Sequence, residues 1–163
     1  FPNSIKSVYQ KFPASRSYLE RTFPSIILEK SKILSAVASA LVGQKLIKGE
    51  PTLACAYAVD IVAKIAFKQE IGGGGSTLRM YEVLRADKRF SSVQEATTGC
   101  IIISPTGLGR PLTRGHVGIV LNNHLIASND SKNGVWSTNY TIDSWLNKYT
   151  KGYGIPTYYY LWL

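Results

Sequence analysis

The stretch from Gly115 to Asn129 reads GHVGIVLNNHLIASN and predicts the centre of a β-sheet. The run from His116 to Leu121 is apolar and partly β-branched, which is typical of a buried strand, and the run from His124 to Asn129 has the same character. Asn122-Asn123 suits a tight two-residue turn, because asparagine tolerates the left-handed backbone conformation. The stretch therefore predicts an antiparallel hairpin.

The length of this turn decides which side chains share a face of the sheet. With a two-residue turn, Leu121 lies opposite His124 and His116 lies opposite Asn129. Directly opposed residues have Cβ atoms about 5 Å apart on one face. We therefore expect the Asn129 carboxamide to hydrogen-bond the His116 ring, and we expect His124 and Asp130 to point away from it. A shift of one residue would reverse these assignments.

Helical patterns precede the hairpin and extended patterns surround it. Apolar residues recur at helical spacing from Ser25 to Lys48, and Thr52 is a candidate cap for a second helix that continues to about Lys68. The other predicted segments are a glycine link (Gly72 to Gly75), a helix capped by Ser76 or Thr77 (Leu78 to Ala86), a strand (Cys100 to Ser104), a short helix (Thr141 to Tyr149) and a last strand (Thr157 to Leu163). Helices followed by an antiparallel sheet predict an α+β fold.

Composition limits the class of protein. The chain has 163 residues, of which 45% are hydrophobic, and this predicts one globular domain with a core of its own. The net charge of +9 favours a polyanionic partner, which includes nucleic acid, an anionic membrane surface or an anionic cell-wall polymer. No nucleic-acid-binding motif is present, and no apolar stretch has the roughly 18 to 20 residues of a membrane helix.

The two cysteines and two histidines are the candidates for chemistry. Cys55 lies near the start of a predicted helix, where unpaired N–H groups favour a thiolate. A thiol nucleophile requires a base, and His116 lies at the start of a predicted strand. Read singly, Cys55 is more typical of a small buried hydrophobic residue and His116 of a hydrogen-bonded structural residue, and only the two together favour catalysis. A Cys55–Cys100 disulfide stays open as an alternative. No group of residues has metal-ligand spacing, so we expect neither a metal nor a cofactor.

Several of these segments resemble the NlpC/P60 and CHAP families of cysteine peptidases. The segment from Ala54 to Val59, ACAYAV, resembles their nucleophile helix, and the segment from Gly115 to Val120 resembles their histidine strand. The strands from Ile102 to Gly107 and from Ile126 to Asn129 complete the likeness, which covers about residues 51–163. Many relatives carry Asp where this chain has Ala54, which leaves the subfamily and the bond cut open.

This resemblance implies a papain-like fold in which N-terminal helices pack on a C-terminal antiparallel sheet. Residues 51–163 would form the catalytic domain, and residues 1–50 would be a helical lead-in of unknown role. The implied activity is hydrolysis of amide bonds in bacterial peptidoglycan, as an endopeptidase or amidase. By position, Cys55 would be the nucleophile, His116 the general base and then acid, and Asn129 the orienting residue. The backbone N–H of Cys55 would be one oxyanion donor.

Three further side chains are candidates for substrate binding, each with a structural alternative. Tyr57 follows Cys55 by two residues and is a candidate for the oxyanion region, although an aromatic residue in a helix is more often core. Arg114, like Arg110, precedes His116 in a loop where it could meet a substrate carboxylate or simply be solvated. Trp136 is a candidate for a saccharide-binding groove or for the core.

The expected partners are bacterial peptidoglycan and anionic wall polymers, without nucleic acid and without a transmembrane segment. The expected location is the bacterial cell wall or periplasm, reached by secretion or phage delivery. Two alternatives stay open. One is a toxin or effector that cleaves or deamidates a protein, and the other is a non-catalytic wall-binding module.

Overall fold

The computed structural model describes residues 24–49 and 53–163. The strands are β1 (Phe90–Val93), β2 (Ile101–Ser104), β3 (His116–Val120), β4 (Leu125–Asn129), β5 (Trp136–Thr141) and β6 (Tyr158–Trp162). The helices are α1 (Pro24–Ala40), α2 (Cys55–Phe67), α3 (Thr77–Ala86) and α4 (Ile142–Trp145), which continues as a π-helical segment (Leu146–Gly152). The predicted α+β class is confirmed. The Thr52 cap and residues 1–23 of the predicted lead-in lie outside the described residues.

The six strands form one antiparallel sheet in the order β1-β6-β2-β3-β4-β5. Val117, Ile119 and Ala127 face α1 and α2 and share a core with Leu34 and Val62. Residues of α1, which the sequence assigns to the lead-in, therefore belong to the same core as α2 and the sheet.

A second core covers the opposite face of the sheet. There Val120 and Ile126 pack against Trp145 of α4 and Tyr149 of the π-helical segment. Both aromatic residues are buried. His116 alternates with Val117 along β3, so its side chain projects to this second face. The histidine is thus enclosed by the α4 side of the sheet and not by α2.

Helix α1 is shorter than predicted because the chain turns at Gly43. Gly43 has a φ of 94°, a conformation that suits glycine. Its N–H donates to the carbonyl of Trp136, and the Trp136 N–H donates back to the carbonyl of Gln44, each at 2.8 Å. These bonds with the start of β5 replace the last turns of the predicted helix.

The hairpin between β3 and β4 differs from the prediction by one residue. Ile119 pairs with Ala127 and Val120 with Ile126. The Leu121 N–H donates to the Leu125 carbonyl at 2.8 Å, which closes a three-residue loop. His124, the last residue of this loop, adopts a left-handed φ of 61°. The two-residue turn and the pairing of His116 with Asn129 were therefore wrong, and the side chains of β4 lie on the opposite faces from those predicted.

The glycine run is a packed turn and not a solvated link. The buried Asp60 carboxylate accepts the N–H groups of Ile71 and Gly72, at 2.8 and 3.2 Å. A Cβ on Gly75 would collide with the Tyr57 ring. The turn leads directly into α3, whose N-terminal cap Ser76 accepts the Arg79 N–H, as predicted.

None of the helices in the two described ranges is both long enough and apolar enough to cross a membrane.

Candidate active site

Cys55 is the first residue of α2, and its half-buried thiol lies between two cavities. The larger cavity measures about 380 Å³ and the smaller about 200 Å³. The larger one is also lined by the loop from Leu112 to Gly115 and by His116, Ser131, Lys148, Tyr149 and Tyr153. The smaller one is lined by Leu53, Gly75, Ser76, Thr77 and Thr106, together with Arg114 and Gly115. A chain bound across both cavities would pass over the sulfur.

The Cys55 sulfur is surrounded by backbone donors. The N–H groups of Ala56, Val117 and Cys55 itself favour the thiolate, but burial has the larger effect and raises the pKa of the thiol to about 11. The first N–H groups of a helix have no intrahelical acceptor, and Ala54 supplies no side-chain cap. Burial therefore opposes the thiolate that the helix start was expected to favour. The thiol is protonated at neutral pH, and donors are available beside it.

His116 begins β3, and its ring is buried in an aromatic cluster. The ring centroid lies 5.3 Å from that of Trp145, 5.7 Å from Tyr149 and 5.8 Å from Tyr140. Only 6% of the residue is exposed, yet it lines the same cavity as Cys55. The sulfur contacts the N–H of Val117, the residue that follows His116. The two predicted reactive residues therefore line one cavity at the end of the sheet where β3 begins.

A hydrogen-bond chain fixes the His116 ring. His116 Nε2 lies 3.0 Å from Ser128 Oγ, and the Ser128 hydroxyl donates to Asn139 Oδ1 at 2.7 Å. Because the serine proton is directed to Asn139, Ser128 Oγ accepts from His116, and the ring carries its proton on Nε2. Nδ1 is then the unprotonated nitrogen and the one able to act as a base.

Ser128 occupies the orienting position that the sequence assigned to Asn129. The one-residue change in register directs Ser128 to the face of His116. Asn129 is buried and pairs through its backbone position with Trp136 of β5. The assignment of Asn129 as the residue that orients His116 is corrected on this ground. Asp130, expected to point away, lines a cavity of about 210 Å³ together with His116.

The surroundings of His116 hold the imidazole neutral. Burial, followed by the positive charge of Lys148, lowers its pKa to about 3, and the negative charge of Asp130 opposes this shift. Ser128 and Asn139 are uncharged, so the orienting chain supplies no carboxylate to stabilise an imidazolium ion. At neutral pH the site holds a neutral thiol and a neutral imidazole.

The three predicted substrate-binding residues have different positions. Arg114 is exposed and lines both cavities beside Cys55. Tyr57 is 49% exposed and its ring covers Gly75, at the edge of the smaller cavity. Trp136 is fully buried, and its Nε1–H donates to the Ala38 carbonyl at 2.9 Å. Its buried position contradicts the predicted role in a saccharide groove, and Trp136 is a core residue.

Four side chains of this site were not predicted from the sequence. Lys148 and Tyr149 lie on the π-helical segment, and such segments are frequent at functional sites. Ser128 was placed on the wrong face by the register, and Asn139 lies on β5, a strand that was not predicted. The sequence signal for Ser128 was its position twelve residues after His116 in the hairpin, because a three-residue loop directs both side chains to the same face of the sheet.

The remaining cysteine does not enter the site. Both cysteines are free, and Cys100 is buried on the other side of the sheet from α2. A Cys55–Cys100 disulfide is therefore not formed. Within the described residues, no group of three or more His, Cys, Asp or Glu side chains is arranged to hold a metal ion.

Comparison with known proteins finds no match for this chain among protein-family models, curated proteins or solved structures.

Proposed function

We propose that this protein is a cysteine hydrolase that cleaves amide bonds of bacterial peptidoglycan, as an endopeptidase or amidase. The observation that carries the proposal is the cavity that Cys55, at the start of α2, and His116, at the start of β3, both line. The helix donors, the base and the oriented ring are the parts that acyl transfer to sulfur requires.

In the proposed reaction, His116 Nδ1 removes the thiol proton as the Cys55 sulfur bonds to the substrate carbonyl carbon. The N–H groups of Cys55 and Ala56 stabilise the resulting oxyanion. The imidazolium then donates its proton to the leaving nitrogen, and the carbon–nitrogen bond breaks. Water, deprotonated by the same nitrogen, attacks the thioester, and the acid product and the free thiol are released.

The neutral resting pair determines how this step proceeds. With a thiol pKa of about 11 and an imidazole pKa of about 3, the ion pair is unfavourable before substrate binds. Proton transfer therefore accompanies the attack on the carbonyl, and charge develops only when the oxyanion donors can stabilise it. The chain through Ser128 and Asn139 keeps Nδ1 available as the base throughout.

Peptidoglycan is the proposed substrate because the segments around Cys55 and His116 resemble those of the NlpC/P60 and CHAP families. The net charge of +9 would bring the protein to a wall that carries anionic polymers. The two cavities on either side of Cys55 suit an extended peptide chain. The proposed place of action is therefore the bacterial cell wall or periplasm.

Digestion of purified sacculi tests the proposal. The parent protein is expected to release soluble muropeptides, and the Cys55→Ala and His116→Ala variants are expected to release none while they unfold at a similar temperature. Mass spectrometry of the fragments identifies the bond that is cut. Release by Cys55→Ala, or no release by the parent, would contradict the proposal. Sacculus binding that is equal in the parent and in Cys55→Ala, without turnover, would support the wall-binding alternative.

A further inference from the structure

The larger cavity beside Cys55 is positively charged. Arg114 enters it from the loop before β3, and Lys148 enters it from the π-helical segment. Both side chains are exposed, so they reach the cavity while their charges stay hydrated. Among the described residues that line this cavity there is no Asp or Glu. Asp130 lies outside this cavity and lines the separate cavity of about 210 Å³, together with His116 and Lys132.

Lys148 is held in place and retains donors for a ligand. Its Nζ donates to the Tyr140 hydroxyl at 2.9 Å, and it lies 5.4 Å from the Tyr140 ring and 5.3 Å from the Tyr149 ring. An ammonium group has three donors, so two stay available after this bond. The π-helical segment therefore presents a positioned cation to the cavity that contains the thiol.

We propose that this cavity binds a carboxylate of the substrate between Arg114 and Lys148, close to the bond that Cys55 attacks. This inference rests on the proposed function and names its substrate class, which is a peptide with a free carboxylate next to the scissile amide. Arg114 is suited to a bidentate contact with a planar carboxylate, and Lys148 supplies a compact charge.

Binding of such a carboxylate also affects the base. The positive charge of Lys148 disfavours the imidazolium form of His116. A bound carboxylate offsets that charge, so His116 becomes a stronger base when the correct substrate is present. A substrate with a carboxamide at the same position gains neither the contact nor this effect.

Alkylation of Cys55 by two reagents of nearly equal size tests the cavity independently of hydrolysis. Iodoacetate is an anion and iodoacetamide is neutral, and each transfers its methylene carbon to the sulfur with loss of iodide. We compare the rate constant for iodoacetate divided by that for iodoacetamide, because the intrinsic reactivity of the thiol affects both rate constants equally and leaves this ratio unchanged. We expect this ratio to fall about threefold to tenfold in Arg114→Gln and in Lys148→Gln. The wild-type ratio should also fall at 1 M salt.

Lys151→Gln is the matched control, because Lys151 is an exposed lysine of the same π-helical segment that lines neither cavity. Its ratio should equal that of the wild type. Thermal unfolding of all three variants verifies that they are folded. An unchanged ratio in both Arg114→Gln and Lys148→Gln would overturn the proposal. Resistance of Cys55 to both reagents would also overturn it, since the proposal requires the cavity to be open to the sulfur.

A substrate pair separates this inference from the proposed function. Synthetic stem peptides that carry either a carboxylate or a carboxamide beside the scissile amide are compared with the wild type and with Lys148→Gln. We expect the carboxamide to raise KM about tenfold in the wild type, and to raise it by a smaller factor in the variant, in which only Arg114 is left to bind the carboxylate. If sacculi are not digested but the alkylation ratio responds as expected, the carboxylate site stands and the peptidoglycan assignment fails.

Discussion

The Nε2 atom of His116 lies 3.0 Å from the hydroxyl oxygen of Ser128, and that hydroxyl donates to Asn139 on the neighbouring strand. This relationship joins three consecutive strands of the sheet, β3, β4 and β5, through their side chains. It fixes both the orientation and the tautomer of the imidazole by neutral groups alone.

Ser128→Ala should reduce turnover more than binding. The variant leaves the buried Nε2–H without its acceptor, at a cost of about 1 to 3 kcal/mol, which corresponds to roughly 5-fold to 160-fold in kcat. KM should change little, because Ser128 lines neither cavity beside Cys55. Steady-state kinetics measure the split. Ser137→Ala is the control, since Ser137 pairs with Ser128 across the strands but its hydroxyl donates to the Val135 carbonyl. Equal activity of Ser128→Ala and the wild type would contradict the orienting role.

Asn139→Asp should move the acid limb of the pH profile upward. A carboxylate at the end of the chain favours the imidazolium, so the His116 pKa rises from about 3. A general base acts only when it is unprotonated, so in Asn139→Asp the value of kcat/KM should be lower at pH 5 than at pH 7. In the wild type, kcat/KM should be nearly equal at the two pH values. Asn139→Ala, which adds no charge, should not produce this upward shift. An unshifted profile in Asn139→Asp would show that the carboxylate is not coupled to the ring.

The rate of Cys55 alkylation by iodoacetamide should rise continuously from pH 7 toward pH 11. The reactive form is the thiolate, and burial raises the thiol pKa to about 11. A thiolate–imidazolium pair would instead give a constant rate at neutral and mildly acidic pH. Stopped-time alkylation followed by mass spectrometry measures the rate, and Cys55→Ser reports any background from the buried Cys100. A plateau below pH 7 would refute the neutral resting pair.

The protein should lose stability as the pH falls below about 6.5. The unfolded chain protonates His116 near its ordinary pKa of 6.5, but the folded protein keeps it neutral down to about 3. The stabilisation is therefore complete above pH 6.5 and decreases by up to about 1.4 kcal/mol per pH unit below it. Urea unfolding at pH 7 and pH 4.5 measures the slope. His116→Gln should flatten the slope, and His124→Gln, at the exposed turn, should retain it. An equal slope in both variants would exclude His116 as the origin.

Trp136→Phe should reduce stability without changing KM. The variant removes the indole donor to the Ala38 carbonyl and leaves a buried acceptor, at a cost of about 1 to 3 kcal/mol. Thermal unfolding and kinetics on the same preparation make the comparison. A raised KM at unchanged stability would restore the substrate-binding role predicted from the sequence.

The pairing of a helix-start cysteine with a strand-start histidine was predictable from local patterns. Apolar periodicity indicates α2, and the β-branched run indicates β3, so Cys55 and His116 were placed at the ends of their elements. The turn was not predictable, because His124 takes the left-handed conformation that asparagine or glycine usually adopts. One additional loop residue then exchanged Asn129 for Ser128 beside the imidazole.

The strands that were missed are the two edges of the sheet. β1 has four residues, and β5 reads WSTNYT, in which only the first residue is buried. A strand as short as β1, or as exposed as β5, lacks the apolar alternation by which a strand is recognised in a sequence. Because Asn139 lies on β5, the second half of the chain that orients His116 could not be found before the sheet was known.

The position of β6 has a consequence for how the protein is made. This strand lies between β1 and β2, and it joins residues as distant in the chain as Phe90 and Trp162. Contacts of such sequence separation close late and slowly, because the intervening loop must first lose its freedom. During synthesis β2 has no neighbour on that side until Tyr158–Trp162 emerges from the ribosome. The sheet beside the cavity of Cys55 should therefore be completed only after β6 has left the ribosome.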